Sequence, residues 1–103
     1  MNLGKSIRTF RKSLTPKVGQ KEYAESIGIS QTYLSHIESG KKEPSTTLLK
    51  LIADRHNTPM PVFLWFSTEE QDIHPEKLEF FRMMKPSIDA LLKEFFIDRK
   101  EKI

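Results

Sequence analysis

The chain has 103 residues, 37% of them hydrophobic and 30% charged, which suits one globular domain with a small appendage. Its net charge of +3 is uneven, because residues 1–66 hold 10 Lys and Arg against 5 Asp and Glu, whereas residues 67–103 hold 7 against 9. With no cysteine, no apolar run near the ~18–20 residues of a membrane span and no basic-then-apolar start, the sequence excludes disulfide frameworks and Cys-ligated metals, and we expect a cytoplasmic protein.

The first predicted element is an amphipathic helix near the start of the chain. Its apolar residues recur at steps of four, three and four, which is typical of one buried helix face: Leu3, Ile7, Phe10 and Leu14. The opposite face is basic and carries Lys5, Arg8 and Lys12. A loop over residues 15–19 follows, because Pro16 disfavours helix at the residue before it.

Two short helices joined by a tight turn are predicted over residues 20–40. The first directs Ala24 and Ile27 inward and ends at Gly28, a residue that adopts a positive φ at no steric cost. Ser30 then suits the N-cap of the second helix, since its hydroxyl can accept a hydrogen bond from an orphan backbone N–H. The small side chain of Ala24 allows the two helices to cross closely near the turn.

The second helix of this pair, predicted over about residues 31–39, has one face without a carboxylate. Leu34 and Ile37 define its buried side on a helical wheel, and Tyr33 lies at the edge between the two sides. The exposed side holds only small or hydrogen-bonding residues: Gln31, Thr32, Ser35, His36 and Ser39. Solvated helix faces usually carry Glu and Lys. This face can instead donate and accept hydrogen bonds, and it has no negative charge that would repel a polyanion.

Two further helices complete the predicted first domain. Ser45 or Thr46 caps a fourth helix, and Pro61 suits the first turn of a short fifth helix at residues 62–66. This fifth helix is apolar nearly all round, so we interpret it as a plug that closes the core. The alternative is that one of its C-terminal aromatic residues also faces a partner subunit.

The C-terminal part carries a second apolar stripe. A polar, acidic linker over residues 67–74 precedes it and Pro86 interrupts it, so we expect two helices over about residues 76–84 and 87–98. The apolar residues have a heptad-like spacing and are the predicted dimer interface: Phe81, Met84, Ile88, Leu91, Leu92, Phe95 and Phe96. Residues 1–66 can close their own core, so this stripe either pairs with a second copy, which we favour, or folds back on the first domain.

The paired helices and their flanks resemble the lambda-repressor and Cro-like, XRE-type helix-turn-helix family. Many positions agree with this family in residue type and spacing: Gln20, Ala24, Gly28-Ile29-Ser30, Leu34, Ile37-Glu38, Gly40 and Pro44-Ser45. The resemblance covers about residues 3–66 and implies an all-α, five-helix DNA-binding domain with the helix from Gln31 in the major groove. We therefore expect a DNA-binding domain over residues 1–66, a linker over 67–74 and a helical extension for dimerisation over 75–103.

The resemblance also implies roles for single residues. It places a base contact at the N-terminal end of the reading helix, where a Gln can bond adenine N6 and N7 together. The expected base-contacting residues lie on or beside the exposed face: Gln31, Thr32, Tyr33, Ser35 and His36. The expected phosphate contacts combine Gln and Ser positions of the family with nearby lysines: Gln20, Lys21, Ser39, Lys41 and Lys42. Arg11 and Glu38 resemble a family pair that forms a partly buried salt bridge between the first helix and the reading helix.

These features predict a sequence-specific regulator of transcription that binds double-stranded DNA, and we expect a repressor. A homodimer places two reading helices ~34 Å apart on one face of a palindromic operator. The alternative is the antitoxin of a toxin–antitoxin pair, which binds its own promoter and neutralises a toxin partner through another surface. We expect no enzyme, cofactor or metal site, because the three histidines lack metal-ligand spacing and the sequence has no nucleotide-binding loop or Ser/His/Asp arrangement.

Overall fold

A computed structural model describes residues 1–98, and this part of the chain is all-α, as predicted. It contains six α-helices in chain order: α1 (Leu3–Lys12), α2 (Gln20–Ile27), α3 (Gln31–Glu38), α4 (Thr46–Arg55), α5 (Met60–Trp65) and α6 (Leu78–Phe96). Two short 3₁₀ turns, Glu70–Asp72 and Pro75–Lys77, lie between α5 and α6. Within the described residues, no helix has the length and apolar character to cross a lipid bilayer. Residues 99–103 of the predicted extension lie outside the described part.

Local signals set the helix boundaries around the turn. Gly28 ends α2 with φ +78°, in the left-handed region that glycine adopts without strain. Ser30 caps α3, because its Oγ accepts a hydrogen bond of 3.0 Å from the N–H of Tyr33. Of the two candidate caps of α4, Ser45 makes this contact, accepting from the N–H of Leu48 at 3.1 Å. The predicted turn and the predicted cap of α3 are therefore confirmed.

Helices α1 to α5 enclose one hydrophobic core. Its largest buried apolar side chains come from all five helices: Ile7, Phe10, Tyr23, Leu34, Ile37, Ile52 and Phe63. The ring centroid of Phe10 in α1 lies 5.1 Å from that of Phe63 in α5 and 5.6 Å from that of Phe66. Ala24 is fully buried, which keeps α2 and α3 close. The short apolar helix α5 therefore closes the core, while Trp65 at its end stays half-buried.

Gly4 lets α1 lie directly against the C-terminal end of α3. A Cβ atom at this position would overlap the backbone carbonyl oxygen of Ile37 and lie 3.0 Å from that of Glu38. Backbone atoms cannot move aside cheaply, so we expect Gly4→Ala to lower the free energy of unfolding by about 1–3 kcal/mol. Gly19→Ala is the matched control, because a Cβ there meets nothing within 4 Å. Equal urea-unfolding midpoints for the two variants would contradict this close approach of α1 and α3.

The predicted break at Pro86 is wrong, because α6 continues through it as one helix of 19 residues. Pro86 has no N–H to bond the carbonyl four residues earlier, and its ring usually kinks a helix. It lies on an exposed side of α6, where that carbonyl can bond water instead. Segments on both sides of Pro86 pack on the rest of the protein, through Phe81 before it and Leu92 after it. We attribute the continuity of α6 to this packing, which offsets the lost hydrogen bond.

One side of α6 folds back on helices α1 to α5. Phe81 is buried against Trp65, with ring centroids 5.7 Å apart, and Leu92 packs at the edge of the core. The indole Nε1 of Trp65 donates a hydrogen bond of 2.7 Å to Asp89 Oδ1, and Lys85 Nζ lies 2.6 Å from Asp89 Oδ2. The assignment of Phe81 to a dimer interface is therefore corrected, because its own chain buries it, whereas Leu92 is only partly covered and its assignment stays a prediction. The fold-back alternative therefore applies to this side of α6, and pairing of the other side with a second copy stays a prediction.

Candidate nucleic-acid interface

A short, closed turn holds α3 against α2. The N–H of Gly28 donates to the carbonyl of Glu25 at 3.3 Å, and the N–H of Ile29 donates to that of Ala24 at 3.0 Å. These bonds satisfy two of the last carbonyl groups of α2. The side chain of Ile29 is partly buried and packs against the core between the two helices. The orientation of α3 is therefore set by backbone hydrogen bonds and by an apolar contact.

The polar side of α3 is accessible, while its apolar side is buried. Leu34 and Ile37 are at most 1% exposed. The polar residues predicted to contact bases reach the surface: Gln31, Thr32, Ser35 and His36. Tyr33 packs against the core and is only partly accessible. No carboxylate lies on the accessible side, since Glu38 turns inward and keeps only 4% of its side chain exposed.

Two lysines lie beside the C-terminal end of α3. The N–H groups of Lys41 and Lys42 both donate to the carbonyl of His36, at 2.8 Å and 3.2 Å, which folds the loop over the last turn of the helix. Gly40 permits this path with φ +84°. Both lysine side chains are exposed, and neither has an ion pair in the described part of the chain. The hydroxyl of Ser39 donates to the same His36 carbonyl at 3.2 Å, so its proton is used within α3.

A buried ion pair joins α1 to α3. Arg11 Nε and Nη2 donate to the two carboxylate oxygens of Glu38 at 2.8 Å and 2.9 Å, and only 9% and 4% of the two side chains are exposed. Arg11 Nη1 also donates to the carbonyl of Val18 at 3.1 Å, and Gln20 Nε2 donates to Glu38 Oε1 at 3.0 Å. Burial favours a neutral Glu38, but the hydrogen bonds from Arg11 and Gln20 hold its pKa below the ordinary value. The pair is therefore ionised at neutral pH and ties three helices together.

The N-terminal end of α2 presents several unused donors. Gln20 donates one of its two side-chain amide N–H groups to Glu38, so the second can donate to an acceptor on a bound molecule. Gly19, the N-cap of α2, supplies no side-chain acceptor, so the first backbone N–H groups of the helix lack a cap. Lys21 is exposed beside them. These amide and ammonium donors suit a phosphate group.

Arg8 was not among the predicted contacts, but the structure places it beside them. It lines a polar concavity of about 170 Å³ between α1, α2 and α3. Polar residues of the other two helices share this concavity: Gln20, Ser35 and Ser39. Arg8 is exposed and has no hydrogen bond or ion pair among residues 1–98, so its charge is available to an anion. The sequence held a partial signal, because Arg8 lies three residues before Arg11 on the same helix face, and the expected Arg11–Glu38 pair directs that face toward α3.

Residues 17–63 match the helix-turn-helix family model, in the XRE-type, lambda-repressor-like group. The match begins in the loop before α2 and ends inside α5, so it contains all of α2, the turn and α3. Neither a curated protein nor a solved structure gives a match to this chain. The family match therefore falls on the same segment that presents the accessible polar side of α3.

Proposed function

We propose that this member of the XRE-type, lambda-repressor-like helix-turn-helix family, a DNA-binding regulator of transcription, is a cytoplasmic repressor that binds a palindromic operator as a dimer. The observation that carries the proposal is the accessible side of α3, which has hydrogen-bonding residues and no carboxylate. The closed turn and the buried Arg11–Glu38 pair hold this helix in place before DNA arrives. Little conformational entropy is then lost on binding.

Base contacts come from the accessible side of α3, between Gln31 and His36, in this proposal. The amide of Gln31 can bond N6 and N7 of one adenine, which is worth about 1–3 kcal/mol of discrimination against another base. Thr32 can bond a base edge or contact a thymine methyl group. Ser35 and His36 follow one turn later with a hydroxyl and an imidazole. Tyr33 can reach a base only from the edge of this surface, because its ring packs against the core.

Phosphate contacts lie around the C-terminal end of α3 in this proposal, because Gln20 bonds Glu38, the last residue of that helix. Gln20 and Lys21 at the start of α2 hold the backbone on one side, and Lys41 and Lys42 after α3 hold it on the other. Contacts of this kind carry no sequence information, so they position α3 while the base contacts select the site. The charge distribution supports the arrangement, since residues 1–66 carry the excess of Lys and Arg. Arg8 adds a further cation beside the same surface.

We expect Arg8→Gln to weaken binding to the operator and to random DNA by the same factor. Removing one phosphate contact should reduce the slope of log Kd against log salt concentration by about 0.9, because one fewer counterion is released. Lys93→Gln is the matched control, since Lys93 is exposed on α6 outside the proposed interface. An unchanged slope for Arg8→Gln, measured by fluorescence anisotropy, would show that Arg8 makes no phosphate contact.

The outer side of α6 supports the dimer. Large apolar side chains are exposed there: Phe80, Met83, Leu91 and Phe95. A contiguous apolar patch of this kind is typical of an interaction site. A second copy brings a second α3 to the same face of the duplex, ~34 Å away, and a palindromic operator matches this symmetry. A dimer on such a site covers DNA that RNA polymerase needs, which makes repression the expected outcome.

An antitoxin role is the second candidate, and the same exposed side of α6 favours it. In that case a toxin, rather than a second copy, occupies the outer side of α6 while α3 still binds the promoter. Co-expression with small proteins encoded beside this chain separates the two roles. A stoichiometric complex that replaces the dimer would favour the antitoxin.

Selection of bound sequences from a random pool of double-stranded DNA tests the proposed function. We expect one enriched sequence with two inverted half-sites about one helical turn apart. Its affinity should exceed that of random DNA by ~10³-fold or more at physiological salt. A pool without enrichment would contradict sequence-specific binding. Enrichment of a single, asymmetric half-site would contradict the palindromic operator.

A further inference from the structure

The outer side of α6 carries both a protruding aromatic residue and a groove. Its four exposed apolar side chains keep 57–67% of their surface in solvent: Phe80, Met83, Leu91 and Phe95. A groove of about 250 Å³ lies beside the N-terminal half of the helix, and Trp65, Ile73, Met84 and Ile88 form part of its walls. Phe95 therefore protrudes near one end of α6, and an apolar recess lies near the other.

Three exposed residues of the outer side, together with Met84 of the groove wall, have the same spacing in both directions. Phe80, Met84, Leu91 and Phe95 are separated by four, seven and four residues. A two-fold axis perpendicular to the helix between residues 87 and 88 therefore relates Phe80 to Phe95. The same axis relates Met84 to Leu91. An isologous interface requires this kind of self-complementary patch.

We propose that α6 pairs with the α6 of a second copy in antiparallel orientation about this axis, so that Phe95 of each copy enters the groove beside Trp65 of the other. The inference deepens the proposed dimer and rests on that proposal. Phe80 lines the same groove, so the entering ring meets an aromatic neighbour as well as aliphatic walls. Each copy supplies one ring and one groove, so both grooves are filled.

Charges favour the antiparallel direction. Charged residues in the middle of α6 are engaged within the chain, since Arg82 bonds Glu70 and Lys85 bonds Asp89. Lys77 is exposed on the groove wall, and the proposed axis places it opposite the exposed Asp98 of the second copy. A parallel pair would instead place Lys77 of one copy beside Lys77 of the other, where the two positive charges repel each other. The antiparallel pair therefore gains an attraction at each end.

The exposed area suffices for a small specific dimer. Four apolar side chains of this size, each somewhat more than half exposed, leave roughly 450 Å² of apolar surface per copy. Pairing covers roughly 900 Å² of these side chains, and the groove walls bring the total above the ~1,000 Å² of a specific interface. The inner side of α6 is fixed by the bond from Trp65 to Asp89, so the pairing also fixes the separation of the two α3 helices.

Cysteine substitutions test the register, because the chain has no cysteine of its own. In the antiparallel pair, residue 80 of one copy lies beside residue 95 of the other, whereas the two copies of residue 80 are about 22 Å apart along the helices. Mixing the Phe80→Cys and Phe95→Cys proteins should give a disulfide-linked heterodimer. Faster crosslinking of Phe80→Cys with itself would overturn the antiparallel register.

Loss of pairing tests the contact of Phe95 with the groove. Phe95→Ser in the full chain, without DNA, should raise the dimer dissociation constant at least about 30-fold in sedimentation equilibrium. Leu51→Ser is the matched control, because Leu51 is 47% exposed but lies in α4. The dimer dissociation constant of this variant should equal that of the unmodified chain. A chain that is monomeric at all concentrations, or an unaffected Phe95→Ser dimer, overturns the proposal. The selection of bound DNA sequences is a separate experiment. A monomeric protein that still enriches one DNA sequence would refute the pairing of α6 and leave the proposed DNA binding in place.

Discussion

Arg11→Met should lower the free energy of unfolding by about 3–5 kcal/mol, because it leaves the buried carboxylate of Glu38 without its charged partner. Only Gln20 then continues to donate to this carboxylate. For a domain of this size, the loss corresponds to a fall in melting temperature of at least about 12 °C. Operator affinity should fall as well, since Glu38 belongs to α3 and the pair holds that helix against α1. Circular dichroism melting and operator titration measure the two effects.

Partner variants separate the charge pair from its packing. The double variant Arg11→Met/Glu38→Met replaces both charges by apolar side chains and should recover most of the lost stability, since no buried charge is left alone. Lys12→Met is the control on an exposed neighbouring position and should change the stability by less than about 0.5 kcal/mol. An Arg11→Met protein that melts and binds like the unmodified chain would refute the structural role of the pair.

Replacing Gln31, Thr32 and His36 together by alanine should abolish the preference for the selected operator in a protein that stays folded. The ratio of operator affinity to random-DNA affinity should fall from ~10³ or more to within about tenfold, because the bidentate base contact and its neighbours are lost. These side chains are accessible and outside the core, so each should change the stability by less than about 0.5 kcal/mol. Competition binding against random DNA measures the ratio.

The lysines after α3 provide the matched control for this experiment. Lys41→Gln/Lys42→Gln should weaken binding to both DNAs by one factor and reduce the salt slope by about 1.8, which leaves the affinity ratio unchanged. The contrast between the two variants distinguishes base contacts, which set the preference for the operator, from phosphate contacts, which set the affinity for any DNA. If the triple-alanine protein kept its preference for the operator, base recognition by α3 would be wrong.

The α2–turn–α3 unit was predictable from the sequence because its signals are local. Gly28 and Ser30 act on backbone atoms within a few residues, so they reveal where α2 ends and α3 begins without any tertiary contact. The spacing of Leu34 and Ile37 likewise identifies the buried side of α3, and the opposite side follows from it. The position of Arg8 beside α3 was not predicted, since it depends on the close approach at Gly4.

The sequence by itself determined the helix order up to Pro86, the cap of α3 and the uncharged face of α3, and it left Ser45 and Thr46 as two candidate caps of α4. Only the tertiary structure decided that α6 runs through Pro86 and which of its sides is buried. The deciding contact, from Trp65 to Asp89, joins residues 24 positions apart. The physical reason is that heptad-like spacing sets the width of an apolar stripe along a helix. The rotation of that helix about its axis is set by distant side chains that no local pattern contains.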